Sequence, residues 1–199
     1  MAQKSPLRIV LASGSPRRAE LARAEGWQVT VCPPPDEAEA TASPRGAGEP
    51  LEAFVIRLAC VKAAAVAGQG VTGLVLACDT VGEVDGLVLG KPADRTDADR
   101  MLRALSGRTH RVVSGVCLWR IDEDGGRSEP RTASAESILF LPTLDEAFLA
   151  DYLASGLWEG KAGACGFQDG RIPLKLITGS PSNVVGLPLE LVREMIARE

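Results

Sequence analysis

Residues 7–18, LRIVLASGSPRR, pass from an apolar run through a turn of small polar residues into a segment opened by a proline, and few folds accept that succession. Residues 7–12 read as a buried strand. Ser13-Gly14-Ser15-Pro16 is then a tight turn ending in an N-cap serine, with proline at the first helical position of a helix over 16–25. Strand, turn and helix in that order open an α/β unit. The turn leaves the first N–H groups of the helix without intrahelical partners, and Arg17 and Arg18 stand at the positive end of the macrodipole, where they repel it and each other. A bound anion reverses that penalty: backbone amides, serine hydroxyls and guanidinium forks together suit phosphate oxygens. The alternative is a pair of solvated arginines.

The rest of the chain continues the alternation. Residues 27–32 read as a second strand and 33–48, with three consecutive prolines, as a loop. From Pro50, Leu51, Phe54, Val55, Leu58, Val61 and Ala65 recur at helical spacing up to Gly68. Residues 74–78 are a short apolar strand closing at Asp79-Thr80, and 81–89 form a hairpin about Asp85-Gly86. A helix over 94–105 precedes a break at Ser106-Gly107. Residues 111–121 and 131–141 flank Asp124-Gly125-Gly126 as a second antiparallel hairpin, and 144–154 is helical. Residues 156–186 are too rich in glycine and short polar side chains for an assignment, and the chain closes with a helix from Pro188. The pattern predicts an α/β fold, a mixed twisted sheet with flanking helices, because the hairpins argue against a purely parallel sheet. At 199 residues and 45% apolar composition, a single domain over 1–199 is the expectation.

Three further residues carry charge where the pattern does not call for it. Lys62 falls in the centre of the apolar stripe of its helix, so its ammonium either snorkels to solvent or meets an anion. Asp79 stands at the carboxyl end of an apolar strand, where α/β proteins place ligand contacts; turn capping is its commoner role. Lys91 follows the first hairpin, and Glu37 is a second carboxylate on the proline-rich loop. Acidic oxygens beside a phosphate cradle imply a divalent cation, Mg²⁺ or Mn²⁺.

Composition removes several classes. A formal charge of −4 gives no basic field to draw the chain onto nucleic acid or a membrane, and the three tryptophans, one tyrosine and four phenylalanines are too scattered for a base-stacking platform. No run is long and apolar enough for a signal segment or a span, so a cytoplasmic protein is expected. The five dispersed cysteines read as reduced, mostly buried thiols. His110 is the single histidine, which rules out a two-histidine zinc site; its expected role is to end a strand by hydrogen bonding. Neither a G-x-S-x-G nor a G-x-x-x-x-G-K-[ST] sequence is present.

These stretches, LASGSPRR (11–18), Asp36-Glu37, VIRLACVKA (55–63), ACDT (77–80), LGKP (89–92), MLRALSGRTHRVVSGV (101–116), GKAGACGFQ (160–168) and GSPSNVVGLPL (179–189), resemble the Maf proteins over nearly the whole chain. The resemblance implies a nucleoside triphosphate pyrophosphatase, a divalent metal cofactor, and a mixed α/β fold with two lobes around a central cleft, often as a homodimer. It implies that Asp79 is the catalytic base and a metal ligand with Glu37, and that Ser13, Arg17, Arg18, Lys62 and Lys91 hold the triphosphate. Arg17, Thr80 and Gln168 match positions tied to substrate choice. Gln168 is similar to the branch acting on dTTP and UTP, whereas the 7-methyl-GTP branch carries glutamate there. A carboxamide offers one donor and one acceptor and pairs with O4 and N3–H of uracil or thymine, while a carboxylate only accepts. Cys165 and Pro181 stand where the family usually has tyrosines, and Asp169 where it has glycine, changes that bear on base preference if those rings pack on the base. The other readings are a nucleotide-sensing regulator of septum formation without essential catalysis, a 7-methyl-GTP pyrophosphatase, and a phosphatase releasing orthophosphate stepwise.

Overall fold

The computed structural model describes residues 6–35, 38, 43–124, 126–168 and 170–198; Asp36, Glu37, Gly125 and Asp169 lie outside the described residues. In chain order the elements are β1 (Arg8–Leu11), α1 (Pro16–Ala24), β2 (Gln28–Val31), α2 (Leu51–Ala67), β3 (Gly73–Val84), β4 (Leu87–Leu89), α3 (Arg95–Leu105), β5 (Arg108–Ile121), β6 (Arg131–Leu141), α4 (Glu146–Ala154), a 3-10 turn (Ala162–Ala164), β7 (Lys175–Thr178), α5 (Pro181–Val185) and α6 (Leu189–Ala197). The seven strands form one sheet in the order β2-β1-β3-β5-β6-β7, with β4 paired antiparallel to β3. β1 runs parallel to both β2 and β3, and β7 antiparallel to β6, so the sheet is mixed as its sequence pattern predicts.

The chain divides into two compact units, one of residues 1–79, 114–134 and 186–199 and one of 80–113 and 135–185. In the first, period-two alternation sorts each strand between two cores. Ile9, Leu11, Leu74, Leu76 and Cys78 pack with Ala19 and Ala22 of α1 and Val192 and Met195 of α6. Val75, Ala77 and Cys117 pack instead with Ala59, Ala63 and Val66 of α2. Strands buried on both faces read as apolar runs, which is why residues 74–78 announce themselves in the sequence, and 7–12 too, where only the exposed Arg8 interrupts the run. The second unit has one core, in which Met101, Leu102 and Leu105 of α3 meet Leu149, Tyr152 and Leu153 of α4. There Tyr152 is buried and its hydroxyl donates to the Ala164 carbonyl at 3.2 Å.

Several boundaries differ from expectation. The strand over 74–78 and the first arm of the hairpin are one continuous β3 through Asp79 and Thr80. A strand and a helix, β7 and α5, lie within the segment left unassigned, because β7 has only short alternation and its pairing with β6 supplies what its composition does not. α4 starts after Asp145, whose carboxylate accepts from Phe148 N at 2.7 Å; Leu144 precedes the cap and its N–H donates to Ser106 Oγ at 2.8 Å. All five cysteines are free thiols, but by exposure only Cys78 and Cys117 are buried.

His110 does not end a strand as expected. It lies inside β5 and is 5% exposed, and burial holds its imidazole below the usual histidine range, opposed in part by a backbone hydrogen bond involving Arg108. The unfolded chain therefore takes up a proton near pH ~6.5 that the folded chain refuses until lower pH, so this contribution is full above that value and is lost as pH falls through it. The urea midpoint is expected to fall between about pH 7 and 5.5. His110→Gln is expected to flatten that part of the profile, measured by urea titration across pH.

Candidate active site

The turn after β1 forms as the sequence predicts. Ser15 caps α1 by accepting from Arg18 N at 3.5 Å, with Pro16 in the first turn behind it. Ser13, 5% exposed, faces inward: its Oγ accepts from Ser15 N at 3.2 Å and from the Arg18 guanidinium at 3.3 Å. Arg18 Nε donates to the Gly186 carbonyl at 2.7 Å, tying the start of α1 to the segment just before α6. Gly186 has φ 116°, a backbone conformation that favours glycine. Thus the second arginine is oriented by two fixed acceptors, and the solvated reading of Arg18 is overturned. Arg17 lies half-buried in the first turn of α1.

Lys62 is the clearest departure from a surface helix. Its residue is 7% exposed on the buried face of α2, and its ammonium hydrogen-bonds and ion-pairs with Asp79 Oδ1. The anion that the lysine meets is therefore one of the chain's own. A Lys–Asp pair with side chains 8% and 13% exposed is largely removed from water, and each charge is tolerable there only because of the other. Strand register then relates this pair to the Ser13 turn. β1 and β3 are parallel neighbours with Leu11 opposite Leu76, and Ala12 N donates to the Leu76 carbonyl at 2.8 Å. Neighbouring strands lie about 4.8 Å apart, so Asp79, three residues past Leu76 and inside β3, lies beside the point where the chain leaves β1 towards Ser13, two residues past Leu11. In open α/β sheets ligands are received beyond the carboxyl ends of parallel strands, and here the strand that ends is β1.

In the second unit Thr80 follows Asp79 on β3 and is half-buried. Lys91 is exposed, on a loop whose Gly90 carbonyl accepts from Gly163 N at 2.9 Å. That bond joins the Lys91 loop to the 3-10 turn leading to Gln168, itself exposed. Cys165 does not offer its side chain as a base-stacking substitute. It packs against the core of this unit, and burial pushes its thiol up to about 12. Pro181 is exposed and opens α5, where Ser180 Oγ accepts from Asn183 N at 3.2 Å. Among the described residues no group of three or more His, Cys, Asp or Glu side chains could hold a metal; Glu37 lies outside them.

Three residues that carry this arrangement escape a sequence reading. Gly186 is one, since nothing in its neighbourhood signals an arginine 168 positions earlier. Lys161 is buried at 8% exposure with its ammonium on the Leu157 carbonyl; as a lysine within GKAG it could have been singled out as Lys62 was. Gly115 is the third: a Cβ there would lie 2.3 Å from the Val55 carbonyl carbon and oxygen and 2.4 Å from Ile56 N, so β5 and α2 touch backbone to backbone.

Taken together, the structure has a mixed α/β sheet, a capped arginine turn after β1 and a buried Lys–Asp pair whose aspartate lies on the neighbouring strand β3. Residues 8–199 match the Maf-like protein family, and the chain belongs to it. A dTTP/UTP pyrophosphatase of Rhodopirellula baltica is 46% identical over 194 residues, covering 96% of this chain and 82% of the relative. Proteins of the same name from Oleidesulfovibrio alaskensis and from an Anaeromyxobacter strain are 42% and 43% identical, each over 96% of this chain and over 84% and 89% of their own lengths.

Proposed function

We propose that this chain hydrolyses dTTP and UTP to the nucleoside monophosphate and pyrophosphate, the reading first supported by relatives named for those substrates. It is a nucleoside triphosphate pyrophosphatase. The observation that carries the chemistry is the buried Lys62–Asp79 pair, its aspartate on β3, the strand next to the one that leads into the Ser13–Arg18 turn. Ser13, Arg17, Arg18, Lys62 and Lys91 take the triphosphate oxygens, and Asp79 takes the proton of a water attacking the α-phosphorus. The new P–O bond forms as the bond to the β-phosphate oxygen breaks, and pyrophosphate leaves with its charge met by the cations. Lys62 holds the Asp79 carboxylate in place between turnovers by the hydrogen bond to its Oδ1.

A divalent cation fits this donor set. Mg²⁺ is commonly held by one or two carboxylates plus substrate phosphates and waters, and Asp79 supplies one such carboxylate, with Glu37 proposed as the second. Such an ion would polarise the phosphoryl oxygens. The same reading places the protein in the cytoplasm and acting as a homodimer. No helix among the described residues is long and apolar enough to cross a membrane.

Purified protein incubated with Mg²⁺ or Mn²⁺ and a panel of normal and modified triphosphates is expected to release pyrophosphate from dTTP and UTP. Release of orthophosphate, or binding without cleavage, would exclude the reading. Gln168→Glu removes the donor for O4 of the pyrimidine and places a negative charge at that edge; kcat/KM for dTTP and UTP is expected to fall about 10- to 100-fold while pyrophosphate remains the product. Steady-state kinetics on both substrates checks it.

A further inference from the structure

Cys60 and Cys117, neither of which the nucleotide chemistry uses, meet where α2 crosses β5. Gly115 and Cys117 are two apart on β5 and so share the face turned to α2, where Gly115 meets the helix backbone directly. Cys117 is 0% exposed among Ala59, Ala63 and Val66, and Cys60 packs against the same cluster from a partly exposed position. Both thiols therefore belong to the one cluster between α2 and β5. The Cys117 thiol donates to Cys60, bringing Cys60 down to about 7 against the opposing effect of burial, and the same bond with burial pushes Cys117 up. A half-accessible, acidified thiol backed by a buried thiol is the arrangement of an attacking cysteine and its resolving partner.

We propose that Cys60 and Cys117 are a hydroperoxide-oxidised dithiol site that closes to an intramolecular disulfide, stapling α2 to β5. The Cys60 thiolate attacks one oxygen of hydrogen peroxide; an S–O bond forms, the O–O bond breaks, and the departing hydroxide takes up the proton that Cys60 released on ionising and leaves as water, giving the sulfenic acid. The Cys117 sulfur then attacks the Cys60 sulfur: the S–S bond forms, the S–O bond breaks, and a second water leaves with the Cys117 proton. Two thiols are oxidised to one disulfide and one peroxide is reduced to two waters. The backbone contact at Gly115, two residues before Cys117, holds α2 directly against this face of β5. The inference is independent of the nucleotide reading, since no triphosphate takes part.

The test treats the intact protein with hydrogen peroxide, without reductant, and follows intact mass and a non-reducing proteolytic map. The expected result is loss of two hydrogens from the chain, a linked pair of peptides carrying Cys60 and Cys117, migration as a single chain on a non-reducing gel, and reversal by dithiothreitol. Cys117→Ala is expected to abolish the link and leave oxygen added at Cys60, and Cys60→Ser to abolish it with Cys117 unmodified. Should either variant fold poorly, the wild-type map decides alone. Oxygen addition without a link in the wild type, a link between other cysteines, cross-linked chains, or both thiols surviving peroxide would overturn the proposal.

Discussion

Asp79→Asn is expected to lower turnover on dTTP by roughly a hundred- to ten-thousand-fold, the usual contribution of a positioned general base. The substitution keeps the shape of the side chain and an oxygen that accepts from Lys62, so it removes charge and basicity with little change in packing. It does leave the Lys62 ammonium, 7% exposed, without its counter-charge. Removing one partner of a buried pair costs about 3–5 kcal/mol when no acceptor remains. With the amide oxygen still in place the loss is expected to be smaller, a fall in Tm of less than about 10 °C at the 2–4 °C per kcal/mol usual for a chain of this size. Assays well below the transition, paired with triphosphate binding by calorimetry, separate the two effects: binding retained and turnover lost. Undiminished turnover would remove Asp79 from the mechanism.

Gly115→Ala is expected to destabilise the protein by about 3 kcal/mol, toward the upper end for overpacking, and to lower Tm by roughly 6–12 °C. The added methyl would stand 2.3 Å from the main-chain carbonyl of Val55, and a helical backbone has no rotamer by which to step aside. α2 must therefore shift as a body, carrying Lys62 away from Asp79, so kcat on dTTP is expected to fall with Tm. Gly68→Ala is the matched control. Its Cβ would meet the Ala64 and Ala65 carbonyl oxygens at 3.5 Å, ordinary contact, and its φ of −67° suits any residue. Its Tm is expected to stay within about 2 °C of the parent. Thermal melts of the three proteins check both outcomes, and an unshifted melt for Gly115→Ala contradicts the backbone contact.

What residues reveal locally and what the fold alone reveals divide along the range of the forces involved. The Ser13–Arg18 turn was legible because capping and the proline preference act within one helical turn, and they identify the start of α1 without reference to anything distant. Strands buried on both faces were legible for a similar reason: helices cover them on either side, so their runs are apolar but for the exposed Arg8 that starts β1. Lys62 announced only that its charge interrupts an apolar stripe. β7 was hidden, since a short strand is held by its neighbour's hydrogen bonds and leaves little mark in its own composition.

Partners remote in the chain belong to the tertiary structure. That Lys62 answers to Asp79, that Arg18 is held by the Gly186 carbonyl 168 positions away, and that Cys60 lies against Cys117 depend on register and on the helix–strand contact at Gly115. The amino-acid order by itself determined which side chains carry charge or a thiol and which local elements present them. Which of them meet was decided by packing, because a contact between distant residues exists only once the backbones between them have been fixed in place.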